Sequence, residues 1–181
     1  MCGNLISWVF QSNREMVPIV TIDGPSGSGK GTIAKALALR LNWNYLDSGL
    51  LYRCFAFLHN QDVDNISEAF SRIEHKYDSE SEDILFDGNN ITSIIRGKEI
   101  TVLSSQLSQK SEVREQLMQI QKQYRKLPGL VAEGRDMSSK LFPDSKVKIY
   151  LTADLSERVN RRANQLRNDG QKVNISELKN E

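Results

Sequence analysis

The sequence predicts an α/β fold: a three-layer arrangement in which a parallel sheet carries helices on both faces, with a small antiparallel β meander inserted. Three observations predict it. Ile19, Val20, Thr21 and Ile22 form a β-branched run of buried-strand character closed by Gly24, and from Ile33 the apolar residues Ile33, Ala34, Leu37, Ala38 and Leu41 recur at helical spacing. Leu130-Val131-Ala132 and residues 147–151 repeat the buried-strand character further along the chain. Residues 84–100 instead alternate short apolar runs with the turn signals Asp87-Gly88-Asn89-Asn90 and Arg96-Gly97, which reads as local antiparallel structure interrupting a βα series.

The segment between the first strand and the first helix carries the chemistry. Gly24, Gly27 and Gly29 allow a tight turn whose N–H groups point inward at the positive end of the helix, which suits a polyphosphate. Lys30 adds a point charge where β- and γ-phosphates would lie. The candidate cradle is therefore Gly24, Pro25, Ser26, Gly27, Ser28, Gly29, Lys30, Gly31 and Thr32. It follows the pattern of Gly, four residues, Gly and Lys, but Gly31 fills the slot where Ser or Thr usually stands, and Thr32 comes one position later. Neither Asn-Lys-x-Asp nor Asp-x-x-Gly occurs, which sets a GTPase switch aside.

A chain of 181 residues with 39% apolar side chains favours one domain with room for a core and an inserted lobe. Twenty-four basic and 23 acidic residues leave a formal charge of +1, so no whole-protein footprint for nucleic acid exists, and any anion site is local. Cys2 and Cys54 form neither a disulfide framework nor a zinc pattern, and no metal-ligating cluster is expected. No apolar run approaches the roughly 20 residues that span a bilayer. No basic segment precedes the short apolar run at residues 5–10, and Cys2 excludes N-myristoylation, so a cytoplasmic protein without membrane association is expected. Residues 1–16 read as an N-terminal extension outside the fold, which begins at Val17.

In chain order, Trp43 to Ser48 is a short strand ending in Asp47 and Ser48, at the strand end where open α/β sheets gather ligands. Arg53 lies one helical turn beyond, ahead of the core residues Cys54, Phe55, Phe57 and Leu58. Residues 61–76 read as a polar amphipathic helix with Ile66, Ala69, Phe70 and Ile73 on one face, followed by a solvated acidic loop at 78–83. Ser104, Ser105 and Ser108 lead into a helix from Ser111 with Arg114 in its first turn. The strand at 130–132 ends in a dense polar cluster, Glu133-Gly134-Arg135-Asp136. A basic helix with Arg158, Arg161, Arg162 and Arg167 follows the last strand. His59 and His75 are at no strand end and read as exposed.

Taken together and in this order, IDGPSGSGKGT, YLDSGLLYR, PGLVAEGRDM and FPDSKVKIYL resemble the bacterial cytidylate kinases over residues 17–181. The resemblance implies a P-loop kinase fold with an acceptor-binding lobe, here residues 48–128, and an arginine-bearing lid of which residues 154–181 are a part. It implies ATP and Mg²⁺, with the metal held by phosphate oxygens and water, as the reluctance of Mg²⁺ to shed its waters allows. It implies transfer to CMP or dCMP, with UMP a further candidate, by a monomer. Residues 24–32 would hold the ATP phosphates; Ser48, Arg53 and Arg135 resemble contacts to the acceptor and its phosphate; Ser105, Arg114 and Asp136 resemble positions that read the base. Lys30, Arg135, Arg158 and Arg162 would neutralise charge on the transferring group. The acceptor phosphate has a second pKa near 6, so it is mostly dianionic at neutral pH and needs no general base.

The same resemblance sets a competing expectation. Family members continue with an Arg/Asp-rich lid segment, a strand and a helix past the point that Glu181 occupies, so the 181-residue chain is expected to bind ATP weakly and to turn over little. The alternative function is then an inactive nucleotide-binding remnant or regulatory P-loop module.

Overall fold

The structure is a computed structural model and describes residues 17–61, 63–168 and 175. The readings of residues 1–16, of Cys2 and of the lid beyond Asn168 fall outside the described residues. Four strands, β1 (Ile19–Asp23), β2 (Asn44–Asp47), β6 (Leu130–Gly134) and β7 (Val147–Tyr150), form a parallel sheet in the order β2-β6-β1-β7. Alternation along these strands feeds two cores. Ile19, Leu46, Leu130 and Ala132 pack on one face with Leu50, Leu51, Phe55 and Leu58 of helix α2 (Ser48–Asn60) and with Leu117 of helix α6 (Ser111–Lys122). Val20, Ile22, Tyr45 and Val131 pack on the other face with Ala34 and Ala38 of helix α1 (Lys30–Leu41). The expected three-layer α/β arrangement is therefore the observed one.

The stripe expected on α1 is only half buried by this packing. Ala34 and Ala38 face the sheet, because small side chains let the helix approach closely, while Ile33 and Leu41 remain exposed. Asn42 ends α1 in the left-handed conformation with its N–H turned back on Ala38 and Leu39. At the far side of the sheet β7 has a neighbour only in β1 among the described residues, and Val147, Ile149 and Tyr150 are exposed.

The inserted antiparallel sheet is present but displaced towards the N-terminus. The helix expected over 61–76 is replaced by a short helix α3 (Ile66–Phe70) and a strand β3 (Ile73–Tyr77). The Asn65 side chain accepts from the N–H of Glu68 and starts α3 late. Beyond it, Ile73, His75 and Tyr77 alternate inward at period 2 and pair with β4 (Glu82–Phe86), a tertiary pairing that local periodicity could not reveal. Asp87 and Gly88, both at positive φ, make the turn into β5 (Asn89–Asn90). The strands expected over 91–100 are instead helical, α4 (Thr92–Arg96) and α5 (Lys98–Leu107), because Ile91, Ile95 and Ile100 are needed to cover α2 and are buried together. Glu82 and Asp83, expected in a loop, lie in β4. His75 is also not exposed: its Nε2 lies 2.8 Å from Oε1 of Glu82, whose other oxygen accepts from Arg96 at 2.8 Å. Helix α7 (Leu155–Asn168) is the expected basic helix.

Leu58 is fully buried under the inserted segment, whereas Ile33 is 48% exposed. Leu58→Ala is expected to lower unfolding stability by about 2–5 kcal/mol. Ile33→Ala should change it by about 1 kcal/mol or less. Urea unfolding followed by circular dichroism measures both, and equal losses would contradict the packing described.

Candidate active site

The parallel strands bring three segments to one edge of the sheet. After β1 the chain turns through residues 24–29 into α1, and Gly27 and Gly29 adopt positive φ values of 75° and 92° that side-chain-bearing residues rarely tolerate. The first turn of α1 has no side-chain cap and no acidic residue, which leaves its N–H groups open to a negatively charged ligand. Lys30 lies over this turn, its Nζ 3.5 Å from the carbonyl of Pro25 and 3.9 Å from Oε2 of Glu133. Ser28 Oγ and Arg158 Nε are buried there without a hydrogen-bond partner among the described residues. An open helix N-terminus, a lysine and two unpaired polar atoms fit a polyphosphate. Arg161 closes over the same loop, donating from Nη1 to the carbonyl of Ser28 at 3.1 Å, and the backbone of Arg158 packs directly on Gly27. Pro25, Ser26 and Thr32 sit in the same loop and first turn, and Arg162 is half-buried on α7 beside Arg161.

Gly31 explains the departure at the hydroxyl slot. A Cβ built there would come within 2.8 Å of Oε1 of Glu133, which is pinned by the Tyr45 hydroxyl donating to it at 2.9 Å. The buried carboxylate occupies the space that a Ser or Thr side chain would need. Burial and the neighbouring Asp47 push the Glu133 carboxyl up to about 7, against the opposing pull of Lys30 and the Tyr45 hydroxyl. Burial together with Asp47 and Glu133 also drives the Tyr45 hydroxyl far above its ordinary range, so it stays a donor.

The second site lies across the end of β6. Arg114 Nη2 donates to Asp136 Oδ2 at 2.5 Å, and Lys140 Nζ stands 3.7 Å from the same oxygen. A cleft of about 30 Å³ beside them, room for a water, is lined by Ser48, Tyr52, Arg114, Met118, Gln121 and Asp136 among others. Arg53 reaches Asp47 at 3.6 Å, and its buried Nε has no partner among the described residues, while Arg135 is exposed just past the end of β6. The structure thus brings Ser48, Arg114 and Asp136 together, with Arg53 in the second turn of α2 and Arg135 just past the end of β6. Ser105 stands apart: it is exposed on α5 and outside this lining, its carbonyl accepting from Ser108. Glu133, Tyr45 and Gln121 were not singled out as site residues by the sequence reading. Glu133 had a signal, as an acid at the end of an apolar strand; Tyr45 and Gln121 had none.

A parallel α/β sheet with a glycine-rich loop feeding an open helix N-terminus, and a polar cleft at the next strand end, defines a P-loop nucleotide-binding protein. Comparison with known proteins makes this specific: the family model described as cytidylate kinase matches residues 20–181. A cytidylate kinase of Stutzerimonas stutzeri (strain A1501) is 45% identical over 172 residues, covering 90% of this chain and 75% of that protein. A cytidylate kinase of Pseudomonas fluorescens (strain Pf0-1) is 42% identical over 178 residues, covering 93% and 78%. The chain belongs to the cytidylate kinase family. Among solved structures, TT1252 from Thermus thermophilus aligns over 91% of this chain and 78% of that one at 19% identity and a TM-score of 0.45, too slight a likeness to bear on the site.

The raised Glu133 carboxyl has a consequence for stability. Because its folded value of about 7 exceeds the unfolded value near 4.5, the folded state holds the proton more tightly. Its stabilising contribution is full below about pH 4.5 and is lost as pH rises through 7. Glu133→Gln, which is neutral throughout, should therefore gain stability relative to the parent as pH rises from 5 to 8. Melting temperatures of both proteins across that range test this, and a constant difference would contradict the buried, charge-crowded environment of Glu133.

Proposed function

We propose that this protein transfers the γ-phosphate of ATP, delivered as its magnesium complex, to CMP or dCMP, giving ADP and CDP or dCDP. The observation that carries the reading is the Arg114–Asp136 pair in a cleft lying across the sheet end from the P-loop. Arg114 can only donate and ionised Asp136 can only accept, and cytosine presents ring acceptors next to an amino donor. Uracil reverses the polarity at position 4. Family membership supports the same reaction, and the names of the relatives supply its acceptor class.

In the reaction, an oxygen of the acceptor phosphate attacks the γ-phosphorus as the bond to the β-bridging oxygen breaks, and ADP leaves. Phosphoryl transfer asks the protein for alignment and charge neutralisation rather than covalent chemistry. Residues 24–32 align the donor through backbone N–H groups, and Lys30 neutralises charge developing between the β- and γ-phosphates. Arg53 and Arg135 hold the acceptor phosphate in line, with Ser48 beside it, while Arg158 and Arg162 approach the transferred group from α7. A magnesium ion carried in with ATP would neutralise part of the charge on its phosphate oxygens. Residues 48–128 form the acceptor lobe, and α7 begins the lid. His59, exposed, and His75, committed to Glu82, take no part.

Coupled ADP release with CMP present tests the reaction directly; ATP binding without CMP-dependent release would favour a regulatory nucleotide-binding module instead. Lys30→Ala is expected to lower turnover by about 10²- to 10³-fold. Its fold should survive, because Glu133 can take a proton once its partner is gone. Turnover above half of the parent's would remove Lys30 from the mechanism. Asp136→Asn should narrow the preference for CMP over UMP by roughly tenfold, leaving ATP affinity within about twofold, since it lies away from the phosphate loop. Loss of ATP affinity instead would overturn its assignment to the acceptor.

A further inference from the structure

We propose that Gln121 is an additional binding contact for the acceptor's base, its side-chain amide hydrogen-bonding the ring at the inner end of the cleft. The inference rests on the reading of this cleft as the acceptor site. Gln121 is only 4% exposed, yet among the described residues its buried Oε1 has no hydrogen-bond partner and no group bonds the amide nitrogen. Buried amides are almost always paired, because leaving one unpaired forfeits the hydrogen bonds water would have made. An unpaired amide in the wall of a ligand cleft is therefore explained by a partner that arrives with the ligand.

Position and chemistry point to the base rather than to the phosphate. Arg114, Met118 and Gln121 stand at i, i+4 and i+7 on α6, so they share one face, and Gln121 lies about 10 Å along the helix from Arg114. Arg53 and Arg135, the cations that suit a phosphate, lie instead on other elements, in the second turn of α2 and just past the end of β6. Beside the polar groups, the lining of the same cleft includes Tyr52, Met118, Met137 and Leu141, apolar surfaces suited to the faces of a flat ring. A neutral amide, with one donor group beside one acceptor, matches the edge of a neutral heterocycle and offers little to a dianion.

The test uses Gln121→Leu in the full chain, with binding measured by calorimetry so that turnover is not required. Two ligands separate base from sugar: CMP, and ribose 5-phosphate, which keeps the sugar and phosphate but has no base. CMP affinity is expected to fall about tenfold while ribose 5-phosphate affinity stays within twofold. The melting temperature of the ligand-free variant should equal or exceed the parent's, because no protein–protein hydrogen bond is lost. Unchanged CMP affinity, or equal losses for both ligands, would overturn the proposal. Arg114→Ala keeps the underlying reading separate: if that change leaves CMP binding untouched, or the parent binds no CMP, the acceptor assignment of the cleft itself fails.

Discussion

The Asp23 carboxylate at the end of β1 is the interaction on which both halves of the site depend. It is buried, and it accepts from the backbone N–H groups of Met137 and Ser138 and from the Ser138 hydroxyl, at 2.6–2.8 Å. Hydrogen bonds to a charged acceptor contribute about 1.5–3 kcal/mol each. One residue later, the N–H of Gly24 donates to the carbonyl of Gly134. The start of the phosphate loop is thereby tied to the turn that presents Arg135 and Asp136. The proposed donor and acceptor sites are thus two ends of one hydrogen-bonded junction, and their separation is set by adjacent strand ends rather than by flexible loops.

The second constraint is electrostatic. Glu133 lies almost completely buried beneath Lys30, with Asp47 near it on the neighbouring strand and Arg53 beyond. A fully ionised acid here would oppose the phosphates the loop is shaped to hold; a carboxyl poised near neutrality does so only in part. It goes with the glycine at position 31, since a Cβ there would come within 2.8 Å of Oε1, which the Tyr45 hydroxyl holds in place. The unusual residue after the lysine follows from a side chain a hundred positions away.

The inserted sheet is joined to this electrostatic centre through aromatic rings. Tyr45, whose hydroxyl holds Glu133, packs edge-on to Tyr77 at 5.3 Å and lies 5.8 Å from the His75 ring. His75 in turn bonds Glu82, which bonds Arg96. The insert is therefore seated against the parallel sheet by a polar chain ending at the phosphate loop, not only by apolar contact.

What the sequence by itself determined was local. The β-branched run at 19–22, the glycines and Lys30 dictate strand, loop and helix within some twenty residues, and the apolar strand ending in Glu133-Gly134-Arg135-Asp136 needed no distant information to be placed. Tertiary structure decided whatever required pairing across the chain. Ile66, Ala69, Phe70 and Ile73 satisfy a helical period, yet Ile73 went to a strand because β4 offered a partner; residues 91–100 coiled into helices because α2 had an apolar face to cover. For the site, residue type and motif revealed the charged groups, whose chemistry is visible one at a time. Tyr45 and Gln121 are invisible in the sequence, and Glu133 shows there only as an acid at a strand end, because their importance comes from burial and from partners present or missing, and both properties arise only when distant segments pack together.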